Sequence, residues 1–184
     1  MRLLRRLPES PGERVRFGID EDPFVQVGGD DPIPEGDVIV PWARWLRDHA
    51  SLEGRPGRLG VRIPSDTKVE DIAVHAPAFP VIAIEFPRFV DGRGYSIARL
   101  LRERFGYRGE LRAVGNVLHD QVLAMARCGF TALEVDPSKK LEDVLPAFDD
   151  FSVRYQPAAD DRLPLWKRQA RAWPSTGPEG SGAR

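Results

Sequence analysis

One segment constrains the fold of this chain more than any other. Residues 80–86 read Pro-Val-Ile-Ala-Ile-Glu-Phe, an almost unbroken apolar run. A strand with one face in water alternates apolar and polar side chains, whereas an unbroken run is typical of a strand covered on both faces. Such strands occur mainly in parallel sheets, against which helices pack. The run therefore predicts an α/β domain with a mainly parallel sheet.

Further predicted strands and helices alternate along the middle of the chain. Strands are expected at 37–40, 60–63, 80–86, 111–114, 131–135 and 151–155, and helices at 41–53, 69–74, 95–105, 117–128 and 141–148. Ser65 or Asp66 is expected to cap the second helix and Asn116 the fourth, because their side chains accept hydrogen bonds from free backbone N–H groups. Repeated βα units imply right-handed crossovers. Five or six strands are too few for a closed eight-stranded barrel, so we expect an open doubly wound sheet, with a partial barrel as the alternative.

The pattern predicts three regions. Residues 1–36 contain many prolines, glycines and charges, and are expected to form a partly irregular arm with a short strand near Phe17 or at 24–27. Residues 37–156 are expected to form a single α/β domain. Residues 157–184 end in a Pro-, Gly- and Ser-rich stretch, and are expected to be a largely disordered tail.

Composition excludes several classes of protein. The 27 Lys and Arg residues balance 28 Asp and Glu residues, which argues against a nucleic-acid-binding protein. A single cysteine, Cys128, cannot form an internal disulfide or a Cys₄ metal or iron–sulfur site. No apolar stretch reaches the roughly 20 residues that span a bilayer, and no apolar run follows the basic residues near Met1. We therefore expect a soluble cytoplasmic protein.

The first candidate site follows the apolar strand. The sequence Asp91-Gly92-Arg93-Gly94-Tyr95-Ser96 leads into a predicted helix, and Arg88 precedes it. Free N–H groups at a helix start, together with two guanidinium groups, can bind an anion. Alternatively, Asp91 opens a tight turn and pairs with Arg93 while Ser96 caps the helix. The G-x-G spacing lacks the third glycine of a dinucleotide fingerprint and the lysine of a phosphate-binding loop.

The second candidate site is the segment 116–121. His119 could act as a general acid or base, with Asp120 and Tyr95 as further weak catalytic candidates. In the alternative interpretation Asn116 caps a helix, Asp120 complements its dipole and His119 is a surface residue. The three histidines of the chain show no metal-ligand spacing, so no metal site is expected.

Three further side chains invite two interpretations each. Glu85 and Glu134 stand near the carboxyl ends of two predicted strands, and each is either a salt-bridge partner or a site residue. Cys128 precedes Gly129 at a helix end and is most simply a small buried apolar residue.

Longer segments resemble a known family. They are residues 86–115, 117–121, 127–130, 141–144 and 148–153, and together they resemble the bacterial domain-of-unknown-function family 934 over about residues 37–156. Two elements depart from the family pattern: Asn116 replaces an aspartate in the first, and Thr131 and Leu133 replace the expected residues of the second, a Gly-Phe-Asp-Ala-Phe-Glu element. A catalytic carboxylate at position 116 is therefore not expected.

The resemblance implies a role in sulfur metabolism. Members are described as probable oxidoreductases involved in sulfite reduction, a label that rests largely on genes beside the sulfite reductase haemoprotein. The chain has one cysteine and no cofactor fingerprint, so it is not expected to hold the haem, iron–sulfur or flavin carriers of that reaction. These carriers are expected only through a partner. The resemblance thus implies an accessory protein of assimilatory sulfite reduction that docks on the reductase or handles its anion, sulfite. A small oxidoreductase or anion-binding enzyme on the strand-end loops and a ligand-free assembly module are the alternatives.

Overall fold

The computed structural model describes residues 2–8, 15–149 and 158. Within these residues eight strands form one sheet: β1 Arg2–Arg6, β2 Phe17–Glu21, β3 Val25–Gln26, β4 Val38–Pro41, β5 Leu59–Ile63, β6 Val81–Phe86, β7 Glu110–Gly115 and β8 Ala132–Leu133. The α-helices are α1 Trp42–Leu52, α2 Val69–Ala73, α3 Arg93–Glu103, α4 Val122–Arg127 and α5 Leu141–Val144. Short 3-10 turns at 76–78, 119–121 and 145–148 adjoin α2, α4 and α5.

The strand order makes the sheet a partial barrel. Strands β3 to β8 are parallel and lie side by side in sequence order, and an antiparallel β1–β2 hairpin joins the sheet at β8. Each right-handed crossover steps to the next neighbour in the same direction, so the helices collect on one face and the sheet curls away from them. The expected open doubly wound sheet is therefore wrong, because that fold needs the chain to reverse direction within the sheet. The partial barrel is confirmed, with eight strands of mixed direction rather than five or six.

The helices cover the convex face of the sheet. Alternate strand residues point into this core, among them Val38, Val40, Val61, Ile63, Ile82, Ile84, Leu111 and Leu133. Trp42 and Trp45 of α1 stack on each other with ring centroids 4.9 Å apart and join the same core. Gly94 of α3 packs so closely on β6 that a Cβ atom there would lie 2.7 Å from the Phe86 ring.

The concave face is covered by the segment that joins β2 to β3. Phe24 of this segment is buried with Ile39, Val81, Ala83 and Val114, which form a second, smaller core. Strand β6 is therefore buried on both sides, as its apolar run predicts. The second cover is a piece of the N-terminal region and not a layer of helices.

Charged side chains share the concave face with Phe24. One row across β5, β6, β7, β8 and β1 reads Arg62, Ala83, Arg112, Ala132 and Arg5, so that large and small side chains alternate between neighbouring strands. Alternate strands also supply the large residues of each layer inside closed barrels.

The central arginine of this row is fully buried, and each of its three guanidinium nitrogens has a carboxylate partner. Arg112 donates from Nη1 and Nη2 to the two carboxylate oxygens of Asp22 at 2.5 and 2.8 Å, and from Nε to Glu110 at 2.8 Å. The side chains of Arg112 and Asp22 both have no solvent exposure. Burial alone would lower the pKa of Arg112, but the hydrogen bonds to Asp22 and the charge of Glu110 outweigh it and raise that pKa. The pair ties the β2–β3 segment to the middle of the sheet.

Three local expectations differ from the structure. The helix expected from Val117 begins only at Val122, and Asn116 does not cap it, since its N–H donates to the Phe86 carbonyl and continues the sheet pairing. No side chain caps α2, so neither Ser65 nor Asp66 does so. The strand expected at 151–155 lies outside the described residues, as does the tail from 157 apart from Ala158.

Replacing Phe24 tests the cover on the concave face. We expect Phe24→Ala to lower the free energy of unfolding by about 3–5 kcal/mol, because a buried aromatic ring leaves a cavity. Val25→Ala, at a neighbouring residue that is half exposed, should change it by less than about 0.5 kcal/mol. Urea unfolding followed by circular dichroism measures both. Equal effects of the two variants would contradict the assignment of Phe24 to the core.

Replacing Asp22 tests the buried ion pair. We expect Asp22→Ala to destabilise the fold by about 3–5 kcal/mol, because Arg112 then keeps a buried charge without its main partner. The double variant Asp22→Leu/Arg112→Met removes both charges and should be more stable than Asp22→Ala in the same urea experiment. If the double variant loses as much free energy of unfolding as its two single variants lose together, the two side chains are not energetically coupled.

Candidate functional site

Polar side chains from two loops meet on the helix side of the carboxyl ends of the strands. Ser65 follows β5, and Asp91 and Arg93 follow β6. Ser65 Oγ donates to Asp91 Oδ2 at 2.7 Å, and Arg93 donates to the two oxygens of Asp91 at 2.9 and 2.7 Å. The three residues form a closed cluster in which each polar group has a partner within the chain.

Asp91 also starts helix α3. Its Oδ1 accepts the backbone N–H of Arg93, the first residue of the helix, at 3.2 Å. Hydrogen bonds from Arg93, and then from Ser65, hold the pKa of Asp91 well below its usual range. The tight turn with an Asp91–Arg93 pair is thus confirmed. Ser96 is exposed and lies in the fourth position of α3, too far along the helix to cap it.

The proposed anion cradle stays a prediction at this position. Asp91 already places a negative charge at the start of α3, where an anion would bind, and Arg93 faces that carboxylate. Arg88 is exposed, and its side chain makes no hydrogen bond or ion pair with the residues that the structure describes. Of the two glycines, Gly94 is required for close helix packing, whereas a Cβ atom on Gly92 would meet nothing within 4 Å.

Residues 87–91, which we call the rim loop, present apolar side chains to solvent. Phe89 is 51% and Val90 82% exposed. The loop is nevertheless held in place: Asp91 N–H donates to the Arg88 carbonyl at 3.0 Å, and Gln121 Nε2 donates to the Phe89 carbonyl at 3.3 Å. The rim loop is therefore a fixed turn with an apolar tip.

Gln121 is a residue of this candidate site that sequence reasoning did not single out. Its side chain is buried, and its Oε1 accepts the Leu118 N–H at 3.1 Å while its Nε2 reaches the rim loop. The only signal for it in the sequence is its place in the Val117–Gln121 segment that carries the family resemblance. A polar residue at the end of such a segment gives no indication of which loop it contacts.

The weak catalytic candidates are brought only partly together. Tyr95 is half-buried with its ring edge-on to Phe86 at 5.2 Å, and burial, with the nearby Cys128 and Asp120, raises its pKa to about 12. The charge of Asp120 therefore acts on the Tyr95 hydroxyl. His119 is exposed on its 3-10 turn, and no hydrogen bond joins it to either of them. Their catalytic roles stay predictions.

A second polar group lies on the concave side of the same strand ends. Arg62 Nε lies 2.8 Å from Glu85 Oε1, Arg62 Nη1 donates to Gln26 Oε1 at 3.0 Å, and Gln26 Nε2 donates to Glu134. Glu85 is thus a salt-bridge partner. Burial raises the pKa of Glu134, against the opposing effects of the Gln26 hydrogen bond and the Arg112 charge.

The described residues hold neither a metal-binding cluster nor a helix that could cross a membrane. Residues 2–8, 15–149 and 158 contain no cluster of three or more His, Cys, Asp or Glu side chains placed to hold a metal ion. No helix among them has both the length and the apolar character needed to cross a membrane.

Comparison with known proteins gives a family. The model of a family described as bacterial protein of unknown function (DUF934) matches residues 60–166, more than half of the chain. The chain belongs to this family. The match spans the rim loop, Gln121 and Glu134, so both polar groups of this DUF934 member include residues from the shared region. Searches of curated proteins and of solved structures found no match.

The pH dependence of stability tests the role of Asp91. Because its pKa is lower in the folded than in the unfolded chain, Asp91 stabilises the fold fully above about pH 5, and this effect is lost progressively as the pH falls below about 4 towards the lowered pKa of the folded chain. Asp91→Asn keeps the backbone cap but not the charge, so the stability difference from the wild type should shrink between pH 6 and pH 3. Urea unfolding across this range measures it. A difference that is constant with pH would contradict the lowered pKa.

Proposed function

We propose that this DUF934 member is a cytoplasmic accessory protein of assimilatory sulfite reduction that docks on the sulfite reductase haemoprotein. The pathway is supported by the resemblance of residues 86–115 and 117–121 to a family whose members are described as probable oxidoreductases of sulfite reduction. Family membership itself is carried by the match over residues 60–166.

The rim loop is the observation that supports docking. Exposing Phe89 and Val90 to water is unfavourable, and hydrogen bonds from Asp91 and Gln121 prevent the loop from folding them away. Fixed aromatic and apolar side chains at a surface are typical of the central contacts of protein interfaces. Arg88 beside them favours a partner pocket that is apolar with carboxylates at its border.

The redox carriers in this proposal belong to the partner. Iron–sulfur clusters need several thiolate ligands, and the chain contains one cysteine. The role proposed for this chain is therefore to bind and orient the reductase, while electrons pass through groups that the reductase holds.

An anion-binding enzyme is the second candidate, and Arg88 is the observation that favours it. This guanidinium has no partner among the described residues and lies in the loop before the start of α3, with Tyr95 on that helix. Sulfite could bind Arg88 here as the substrate of a small oxidoreductase that uses Tyr95, His119 and Asp120. A ligand-free assembly module is the third possibility and would use the same rim loop without Arg88 chemistry.

Growth of a deletion strain on defined sulfur sources tests the pathway. We expect the strain to fail on sulfate and on sulfite and to grow on sulfide, because the block then lies at the sulfite step. Growth on all three sources would contradict the proposed role.

Complementation of that strain tests the rim loop. We expect Phe89→Ser/Val90→Ser to abolish growth on sulfite and co-purification with the reductase, because the apolar contact is lost. Leu46→Ser removes a similarly exposed apolar side chain from α1 and should restore growth fully. Circular dichroism confirms that each variant is folded.

The variant Arg88→Ala separates the first two candidates. Loss of growth with the reductase complex intact would favour anion handling, and loss of both would favour docking. Full complementation by Phe89→Ser/Val90→Ser would refute the docking proposal.

A further inference from the structure

A cleft lies at the end of the sheet opposite the rim loop. It encloses about 710 Å³ beside the amino ends of β5, β6 and β7. Its described lining is mostly apolar and consists of Leu59, Ala73, residues 76–80 and residues 105–109, with Arg58. Pockets for small organic molecules typically measure about 300–1,000 Å³ and have mainly apolar walls with a few polar groups, so this cleft has the usual size and composition.

One wall of the cleft is preformed. The half-buried Arg102 donates from Nη1 to the carbonyls of Tyr107 and Gly109, both at 2.8 Å, and from Nε to the Gly129 carbonyl at 2.9 Å. The Tyr107 hydroxyl donates to the Phe79 carbonyl across the cleft floor at 3.0 Å. The 105–109 loop is therefore fixed before any ligand binds, which lowers the entropic cost of binding.

The arginine that holds this wall is itself poorly hydrated. Burial lowers the pKa of Arg102 to about 10, still far above neutral pH, so the group stays charged and keeps its three backbone acceptors. Arg102 differs in this respect from Arg99 of the same helix: Arg99 pairs with Glu103 at the surface, whereas Arg102 is a structural residue of the cleft.

The charge around the cleft is positive. No acidic side chain belongs to its described lining. Arg58 is already paired with Asp37 through two hydrogen bonds of 2.9 and 2.6 Å. Arg108 is exposed, and in residues 2–8, 15–149 and 158 its side chain finds no hydrogen bond or ion-pair partner. Beside it, the Phe105 ring is 37% exposed; the guanidinium of Arg104, which is paired with Glu70, lies over this ring at 5.3 Å from its centroid, and the rest of the ring offers an apolar surface.

We propose that this cleft binds a small organic monoanion with a flat apolar body, such as an aromatic carboxylate or sulfonate. The ring system lies against Phe105 and the Ala- and Pro-rich wall, and the anionic group pairs with Arg108. One available guanidinium favours one charge, and the apolar lining disfavours a wholly polar anion such as sulfite. This site is independent of the rim loop and of the proposed function.

Calorimetric titration of the full chain with naphthalene-2-sulfonate tests the proposal. The neutral naphthalene-2-sulfonamide is the matched ligand. We expect the sulfonate to bind at least tenfold more tightly than the sulfonamide, and Arg108→Gln to abolish that preference. Arg88→Gln removes another exposed arginine, at the opposite end of the sheet, that has no partner among the described residues, and should leave both affinities unchanged. Ala78→Trp should block both ligands by filling the cleft.

Three results would overturn the proposal. The first is equal affinity of the wild type for the two ligands. The second is binding that neither Arg108→Gln nor Ala78→Trp alters. The third is a dimer, seen by sedimentation, that Ala78→Trp dissociates, because the cleft would then be an interface between two copies of the chain. In the deletion strain, complementation with Arg108→Gln should restore growth on sulfite, because the rim loop and not this cleft is proposed to contact the reductase. The two proposals can therefore fail independently of each other.

Discussion

The buried pair between Arg112 and Asp22 is the interaction on which the rest of the architecture depends. Removing two charges from water is costly unless the geometry is good and the remaining hydrogen-bonding groups are satisfied. Here Glu110 accepts a hydrogen bond from Nε, the guanidinium nitrogen that does not contact Asp22. The pair holds the β2–β3 segment across the concave face. Phe24 is thereby placed over β6, and Gln26 is placed within reach of Glu134 at the strand ends.

The sequence predicts those features of the fold that depend on residues close together in the chain, and it predicts less well those that depend on tertiary contacts. The parallel strands from 37 to 135 follow from local apolar runs, and Gly129 follows the end of α4 with a positive φ angle, as expected of a glycine at a helix end. The expectation of a doubly wound sheet was wrong because the apolar run of β6 indicates that both faces of the strand are covered but does not indicate which elements cover them. Two arginines within apolar strands, Arg62 and Arg112, were the overlooked sign that one face holds charges. Strand β1 was not predicted, because three of its five residues are arginines.

The candidate site shows a similar division. The pairing of Asp91 with Arg93 follows from a spacing of two residues and was predicted as one of two interpretations. The partner from the neighbouring strand, Ser65, and the buried Gln121 behind the rim loop depend on tertiary structure and leave no local pattern. The same applies to Asn116, whose side chain can cap a helix but whose backbone is used instead to extend the pairing with β6. Residue type alone does not decide between these uses.

The alternation of arginine and alanine along one row of the sheet has a consequence for how such a fold can acquire new functions. In a wide barrel the interior is a cavity, and substituting the residues that line it changes which ligand the cavity binds. Here the hollow of the curled sheet is filled by guanidinium groups and one phenylalanine ring, so enlarging it would expose uncompensated charge. Substitutions that create a new function are therefore expected in the loops at the two ends of the strands. Side chains there can be replaced without disturbing the buried charges inside the sheet.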